Sequence, residues 1–233
     1  MAEFESLFAN YDRLVIFDTE TTGLDYANDE IIEFAAVVVE QRDGKAEIVR
    51  EYDELIALSP GKEVPEMIQN LTGITNKDLE LDGIAKEVVC ADIDELFNGT
   101  STKTLLLAYN AHFDLSFLFH LLNKNGNAAI LKGKDKLDLL TVYKDRRPYP
   151  HKLCNAIEAY GLTGEVVNSH RAVDDVIATV AVMKAMEAEK DDMHRYINLF
   201  GVNPKYGISG APIRSVTYKA QPYNTVCPLY EVE

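Results

Sequence analysis

Three cysteines among 233 residues, Cys90, Cys154 and Cys227, lie too far apart to form a paired spacing. That excludes a disulfide framework and a thiolate metal site, and a reducing, cytoplasmic setting is expected. No apolar run approaches the ~18 residues that a membrane span needs, and Met1 to Glu5 carry neither the basic nor the apolar region of a signal peptide. Neither a membrane nor secretion is therefore expected. There is no internal repeat and no low-complexity segment. Basic residues are scarce, with 23 Lys and Arg against 38 Asp and Glu, and the net charge of −15 argues against broad electrostatic capture of nucleic acid. What is present, 47% hydrophobic and 26% charged residues, is the make-up of a soluble globular chain. Its length fits one large domain, or one domain with an appendage.

The charge is unevenly spread. Residues 191–233 carry four acidic and four basic side chains, so the deficit lies entirely in residues 1–190. Between Lys132 and Lys152 the sign reverses: Lys132, Lys134, Lys136, Lys144, Arg146, Arg147 and Lys152 face only Asp135, Asp138 and Asp145. This stretch either receives a phosphate-bearing substrate or is a solvated, charged face, and both readings stay open.

The first chemical signal is Leu14-Val15-Ile16-Phe17-Asp18-Thr19-Glu20, followed by Thr21-Thr22-Gly23. Its β-branched and aromatic run reads as a buried strand that Gly23 ends. Strand side chains alternate between faces, so Asp18 and Glu20 point the same way. Two carboxylates on one face of a buried strand repel each other and are costly to desolvate unless a cation joins them. A hard divalent metal, which prefers oxygen ligands, is the simplest such cation.

Residues 31–40 and 46–58 read as two further strands joined by the turn Arg42-Asp43-Gly44-Lys45, a hairpin. Residues 66–71 and 76–79 read as short helices, 84–97 as a longer one and 105–109 as a buried strand that leads into a helix through Leu122. Segments 137–143, 153–160 and 172–186 read as three more helices, and 213–219 as a short extra strand. The order implies an α/β fold with a mixed sheet covered on both faces. The Tyr-, Gly- and Pro-rich residues 191–233 are expected to be a tail packed on the domain formed by residues 1–190, or an element that docks on a partner.

Asp114 follows the strand at 105–109 as Asp18 ends the first, and ligands gather at the C-terminal ends of strands in open α/β sheets. A lone Asp at a helix start is equally an ordinary cap. The last piece is His170-Arg171-Ala172-Val173-Asp174-Asp175. It opens a helix that is apolar nearly all round and hence buried. Periodicity does not separate Asp174 from Asp175, and Asp174 also stands where it can pair with Arg171.

Taken together, Phe17-Asp18-Thr19-Glu20-Thr21-Thr22-Gly23, Asn110-Ala111-His112-Phe113-Asp114 and His170 to Asp175 resemble the DEDDh (DnaQ-like) 3′–5′ exonuclease family, including the proofreading domains of bacterial replicative DNA polymerases. The segment from Pro65 to Thr75 resembles the one these proteins carry after the hairpin, and Asp138 stands where a helix-opening Asp is common. The resemblance covers roughly residues 12–190. It implies a ribonuclease H-like three-layer fold with a mixed five-stranded sheet flanked by helices. By its spacing it selects Asp175 over Asp174. The implied activity is hydrolysis of phosphodiester bonds from a single-stranded 3′ end, with release of nucleoside 5′-monophosphates. The implied cofactors are two divalent metal ions, Mg²⁺ or Mn²⁺, held by Asp18, Glu20, Asp114 and Asp175. Asp18 would bridge the ions, and His170 would take the proton of the attacking water near neutral pH. Such ions reverse the local sign, which explains how an acidic chain handles a polyanion.

By the same analogy Leu24 and Ile74 flank the terminal base, and Thr19, Thr21 and Asn110 contact the nucleotide. Phe113 fits either a base contact or the core, the core being favoured. The Thr72-Gly73-Ile74-Thr75 segment favours DNA over RNA and a proofreading- or repair-type role with a DNA polymerase as partner. Two other readings stand beside it: an exoribonuclease acting on RNA ends or short oligoribonucleotides, and an accessory subunit docked on a polymerase through the tail. A haloacid-dehalogenase phosphatase also begins with a strand-terminal Asp. It needs a second Asp where this chain has Glu20, and no His-x4-Asp ending.

Overall fold

In the computed structural model, which describes residues 3–99, 103–221 and 227–232, the chain begins with one helical turn, α1 (Glu5–Phe8). Three strands follow, β1 (Arg13–Thr21), β2 (Ile31–Arg42) and β3 (Lys45–Leu55), then helices α2 (Glu66–Thr72), α3 (Asn76–Asp82) and α4 (Lys86–Asn98). Next come β4 (Thr104–Ala108), α5 (Ala111–Asn125), β5 (Asp135–Asp138), α6 (Leu139–Arg146), α7 (Leu153–Ala159) and α8 (Ala172–Glu189). Two short strands, β6 (Leu199–Val202) and β7 (Thr217–Ala220), lie in the tail.

The five long-sheet strands run in the order β3-β2-β1-β4-β5. β1 pairs antiparallel with β2 and parallel with β4, so the sheet is mixed and β1 is its centre. Alternation along β1 sorts the layers. Leu14 and Ile16 face a core shared with Val176, Val180 and Met183 of α8 and with α6 and α7. Val15 and Phe17 face the opposite core, made with Val89, Ile93 and Phe97 of α4 and Leu115, Leu118 and Leu122 of α5. Asp18 and Glu20 continue the first face and Thr19 the second. This parity aims the two carboxylates at α8 and the threonine at α5.

The fifth strand differs from its expectation. Residues 137–143 read as one helix, but 135–138 pair with β4 and the helix begins only at Leu139. A strand of four residues offers too few side chains for a period to show, and Lys136 at its centre is buried at 2% exposure. Asp138 ends the strand and caps α6, accepting hydrogen bonds from the Thr141 backbone N–H (3.1 Å) and hydroxyl (2.6 Å).

In the tail, β7 spans Thr217–Ala220, shorter and later than the expected 213–219, and pairs parallel with β6. Asn198 binds the edge of β5: its backbone N–H donates to the Lys136 carbonyl at 2.8 Å, and its side-chain carbonyl accepts from the Lys136 N–H at 2.9 Å. Met193, Tyr196 and Leu199 join one core, Phe200 and Val216 the other. The described tail residues are thus built into both layers and blunt an otherwise open sheet edge. No helix among the described residues is long and apolar enough to cross a membrane.

Candidate active site

The C-terminal end of β1 is where the three chemical segments meet. Glu20, His170 and Asp175 each offer a ligand atom, and all three atoms lie within 4.8 Å of one another. Two features of local structure bring the distant pair to β1. His170 adopts a left-handed conformation (φ 58°) just before α8, which turns the chain into the helix. Glu33 of β2, fully buried and opposite Glu20 in the register, then holds the helix start. Its carboxylate accepts from the Arg171 Nε at 2.8 Å and from the Ala172 N–H at 2.7 Å. Arg171 is therefore partnered by Glu33 and not by Asp174, whose carboxylate accepts from the Ser169 hydroxyl.

Asp175 is buried. One of its oxygens, Oδ2, accepts from Asn168 Nδ2 at 2.6 Å. The other, Oδ1, is buried with no hydrogen-bond partner among the described residues. A buried carboxylate oxygen without a partner is costly, and beside Glu20 and His170 it is a lone pair available to a metal ion.

Asp114 reaches the site from the opposite layer. It lies in the first turn of α5, 2% exposed, and its Oδ1 accepts from the Thr19 N–H at 3.0 Å and the Thr19 hydroxyl at 2.8 Å. α5 is held in turn by Asp138, whose Oδ1 accepts the N–H groups of Asn110 and Ala111, each at 3.0 Å. One carboxylate thus ties together the turns that follow β4 and β5. Its role as a helix opener was visible in the sequence; its second grip was not, because that depends on two parallel strands being neighbours.

Electrostatics mark the same place. Burial, reinforced by the nearby carboxylates of Asp114, Asp175, Glu20 and Glu33, pushes Asp18 well above the usual carboxylate range. Burial and the carboxylates of Asp175, Glu33 and Asp114 push Glu20 up to about 8. Asp114 rises to about 7 through burial, although the hydrogen bonds from Thr19 oppose the shift, and burial also raises Asp175. Four carboxylates with raised pKa values at one strand end are like charges that lack a counterion. The donor set is mostly oxygen, with one imidazole beside it. It fits hard divalent cations at Asp18, Glu20, Asp114 and Asp175.

The expected substrate contacts divide. Leu24 stands 85% exposed in the turn after β1. That turn is tight: Asp29 accepts from the Asp25 N–H at 2.9 Å, and a Cβ at position 23 would have to displace the Asp29 carboxylate. Asn110 is exposed at the head of α5, in a left-handed conformation (φ 73°). Thr19, Thr21 and Ile74, expected beside the nucleotide, are instead buried. Thr19 is 5% exposed and its hydroxyl donates to Asp114, so it positions a carboxylate. Thr21 is 7% exposed and donates to the Gly23 carbonyl at 2.6 Å, supporting the turn. Ile74 is 2% exposed, packed with Ile32, Val64, Ile68 and Leu79 in a small core under α2 and α3, and offers no face to a base. Phe113 lies 4.9 Å ring to ring from Phe117 and packs against the α4–α5 core.

Glu33 and Asn168 are the residues that sequence reasoning missed. Glu33 did leave a signal, as the single charge inside the apolar run Ile31-Ile32-Glu33-Phe34-Ala35.

Comparison with known proteins agrees with this geometry. The chain is 33% identical over 198 residues to the PolC-type DNA polymerase III of Lacticaseibacillus paracasei, a match covering 84% of this chain and 13% of that protein. It is 36% identical over 118 residues to the 3′-5′ exonuclease DinG of Bacillus subtilis, covering 50% of this chain and 12% of that one. The chain thus spans only a small part of the length of these relatives. Among solved structures, E. coli Exonuclease I in complex with a dT13 oligonucleotide superposes with a TM-score of 0.66 at 23% identity, over 76% of this chain and 41% of that one, which shows a shared fold. Residues 15–183 match the exonuclease family RNase_T, a span that begins in β1 and ends in α8 and so encloses every carboxylate of the site, and the chain belongs to that family.

Proposed function

We propose that this chain is a metal-dependent 3′–5′ exonuclease that removes nucleoside 5′-monophosphates from the 3′ end of single-stranded DNA. The observation that carries the proposal is the meeting of Asp18, Glu20, Asp114 and Asp175, from a central strand and two helices on opposite faces of the sheet, with His170 beside Glu20 and Asp175. Two ions held by the four carboxylates would, when bound, stabilise charge on the attacking and leaving oxygens.

The chain's own residues do the rest. Asp18 faces the α8 side of the sheet and feels the charge of both Asp114 and Asp175, so it would be the ligand shared by the two ions. Glu20 and Asp175 would hold one ion and Asp114 would support the other. His170, exposed at the rim, accepts the water's proton. Leu24 and Asn110, both exposed, border the terminal nucleotide.

DNA is favoured as substrate by the similarity to PolC-type DNA polymerase III and to the DNA-bound Exonuclease I structures, and a DNA polymerase is the partner that the former suggests. The choice between Mg²⁺ and Mn²⁺ is left to measurement.

The test offers 5′-labelled single-stranded DNA, duplex DNA and RNA, with Mg²⁺ or Mn²⁺, to wild type and Asp175→Asn. A ladder that shortens from the 3′ end of single-stranded DNA, lost in the variant and in EDTA, is expected. Cleavage in the strand interior, or full activity in EDTA, would overturn the reading, and a ladder on RNA alone would move it to an exoribonuclease. For His170→Ala, a large loss of kcat is expected with metal binding retained.

A further inference from the structure

The basic stretch that begins at Lys132 resolves into two kinds of residue. Arg146 and Arg147 are structural: Arg146 is paired with Asp192 in the interior, and Arg147 bonds Glu189 at 2.9 Å and lies over the Tyr160 ring. Lys132 and Lys136 instead line a cavity of about 560 Å³ between α5, the segment that leads from it into β5, and the tail. Its walls are apolar, with Phe119, Leu131 and Ile213 prominent, and Tyr26 and His120 close one end with their rings 4.9 Å apart.

The tail completes this cavity. Residues 211–215 form one side of it. The stretch just before them is pinned at the head of α5, where the His112 ring bonds the Ser209 carbonyl (2.9 Å) and the Tyr218 hydroxyl (2.7 Å).

The charge of this cavity runs against that of the chain. In a protein of net charge −15, its lining includes Lys132, Lys136, Arg214 and His120 and no carboxylate. Lys132 and Arg214 are exposed and make no ion pair among the described residues. Lys136 is 2% exposed, yet its ammonium donates only to the Lys134 carbonyl (2.7 Å), the Leu131 carbonyl (3.3 Å) and the Ser215 hydroxyl (3.0 Å). Its chain neighbour Asp135 is committed to Tyr11 and Asn198. A buried cation without a carboxylate, flanked by two exposed cations and exposed aromatic surface, is complementary to a ligand that is anionic at one end and flat and apolar at the other. A nucleotide has this chemistry.

The position agrees. The cavity starts at Leu115, the residue after Asp114, and reaches His120, about 7.5 Å further along α5 at 1.5 Å per residue. Stacked nucleotides at roughly 3.4 Å each cover that distance in about two to three steps. We propose that this cavity is a second nucleotide subsite, which receives a nucleotide of the substrate strand upstream of its 3′ end, with the base on Phe119 and Tyr26 and the phosphate toward Lys132 and Arg214. The subsite rests on the exonuclease reading above. It gives the acidic chain a local place to hold a polyanion that does not depend on metal ions.

The experiment compares a single-stranded DNA 12-mer with a dinucleotide, for wild type, the double variant Lys132→Glu/Arg214→Glu and Phe119→Ala. In the variants the KM for the 12-mer should rise about ten-fold with kcat within about two-fold, and the dinucleotide should be unaffected. The salt dependence of 12-mer binding should flatten in the double variant by a slope of about 1.4, roughly 0.7 for each of two lost phosphate contacts. A 12-mer carrying 5-iododeoxyuridine at the third or fourth position from its 3′ end should cross-link to a peptide containing Tyr26 or Phe119. An unchanged 12-mer KM, which is also the outcome if the cavity holds a segment of a partner protein, or an equal loss on both substrates, would overturn the subsite. If wild type cleaves neither substrate, the exonuclease reading fails, while the cross-link, which needs no cleavage, still decides the subsite.

Discussion

Two regions of this molecule gather carboxylates, and they treat them in opposite ways. Around the start of the tail, Asp192 is buried, which alone would raise its pKa. Hydrogen bonds from Lys190 and Tyr230 and the Arg146 guanidinium overcome that and hold it below the ordinary range. Glu189 is likewise held down, against burial, by Tyr160 and Arg147. At the end of β1 no Lys or Arg among the described residues forms an ion pair with Asp18, Glu20, Asp114 or Asp175. Asp18, Glu20, Asp114 and Asp175 are all raised, and the nearest guanidinium, that of Arg171, is turned to Glu33. The difference teaches that the crowding at β1 is not a general property of an acidic chain. Asp192 and Glu189 find partners within the protein, and at β1 metal ions would supply them; Glu187, raised to about 7 by burial and by Asp191, is an exception beside the tail.

The sharpest way to break this contrast is to neutralise one carboxylate in each region. Asp18→Asn should reduce exonuclease activity by at least about 10³-fold. In the same variant the protein in EDTA at alkaline pH should melt higher, by about 3–6 °C, because an unmatched buried charge has been removed; that corresponds to about 1–2 kcal/mol. A lower melting temperature would show that Asp18 is matched within the protein. Asp192→Asn should do the reverse. It leaves the Arg146 guanidinium, 3.6 Å from Glu189, with only part of its counter-charge, and should cost about 2–3 kcal/mol in denaturant unfolding with or without metal.

The pH dependence of stability sharpens the comparison further. Glu20 has its pKa raised from 4.5 to about 8, and Asp114 from 3.8 to about 7. A carboxylate raised in the folded state binds its proton more tightly there than in the unfolded chain. Its stabilising contribution is fully present below the unfolded value and is lost as pH rises through the folded one. Metal-free protein should therefore lose thermal stability progressively between about pH 4 and 8. Saturating Mg²⁺ or Mn²⁺ should flatten the upper part of that profile, a difference that melting curves across the pH range would measure. The smallest effect is expected from Thr19→Val. It keeps the backbone N–H bond to Asp114 and removes the hydroxyl bond, and should lower kcat a few-fold at a stability cost of about 1 kcal/mol.

The hairpin, the central strand and the two long helices of the site were legible because each carries a long or well-punctuated pattern: Arg42 to Lys45 for the turn, alternation along β1, and an apolar helix after His170. β5 was not, since four residues run straight into a helix with an equally apolar face. Ile74 illustrates a different limit: its place beside the terminal base came from the family resemblance, and its packing with Ile32 under α2 and α3 depends on contacts that no local pattern carries. The positioning residues were hardest. Nothing local distinguishes Thr19 from Thr21 as the one whose hydroxyl meets Asp114, or marks Glu33 as the partner of Arg171.

By itself, the sequence determined which residues are the candidates for the chemistry. Asp18 and Glu20 share a face because strand parity is a local rule, and Asp114 and Asp175 stand near helix starts because caps and periodicity are local too. Only the tertiary structure decided how they meet. Thr19 faces one layer and Asp18 the other, so one strand collects Asp114 from α5 and Asp175 from α8. Asp138 and Glu33 fix those two helix starts across contacts of 27 and 139 residues in sequence. Such contacts exist only once strands have found their neighbours, a non-local event that no window of residues contains.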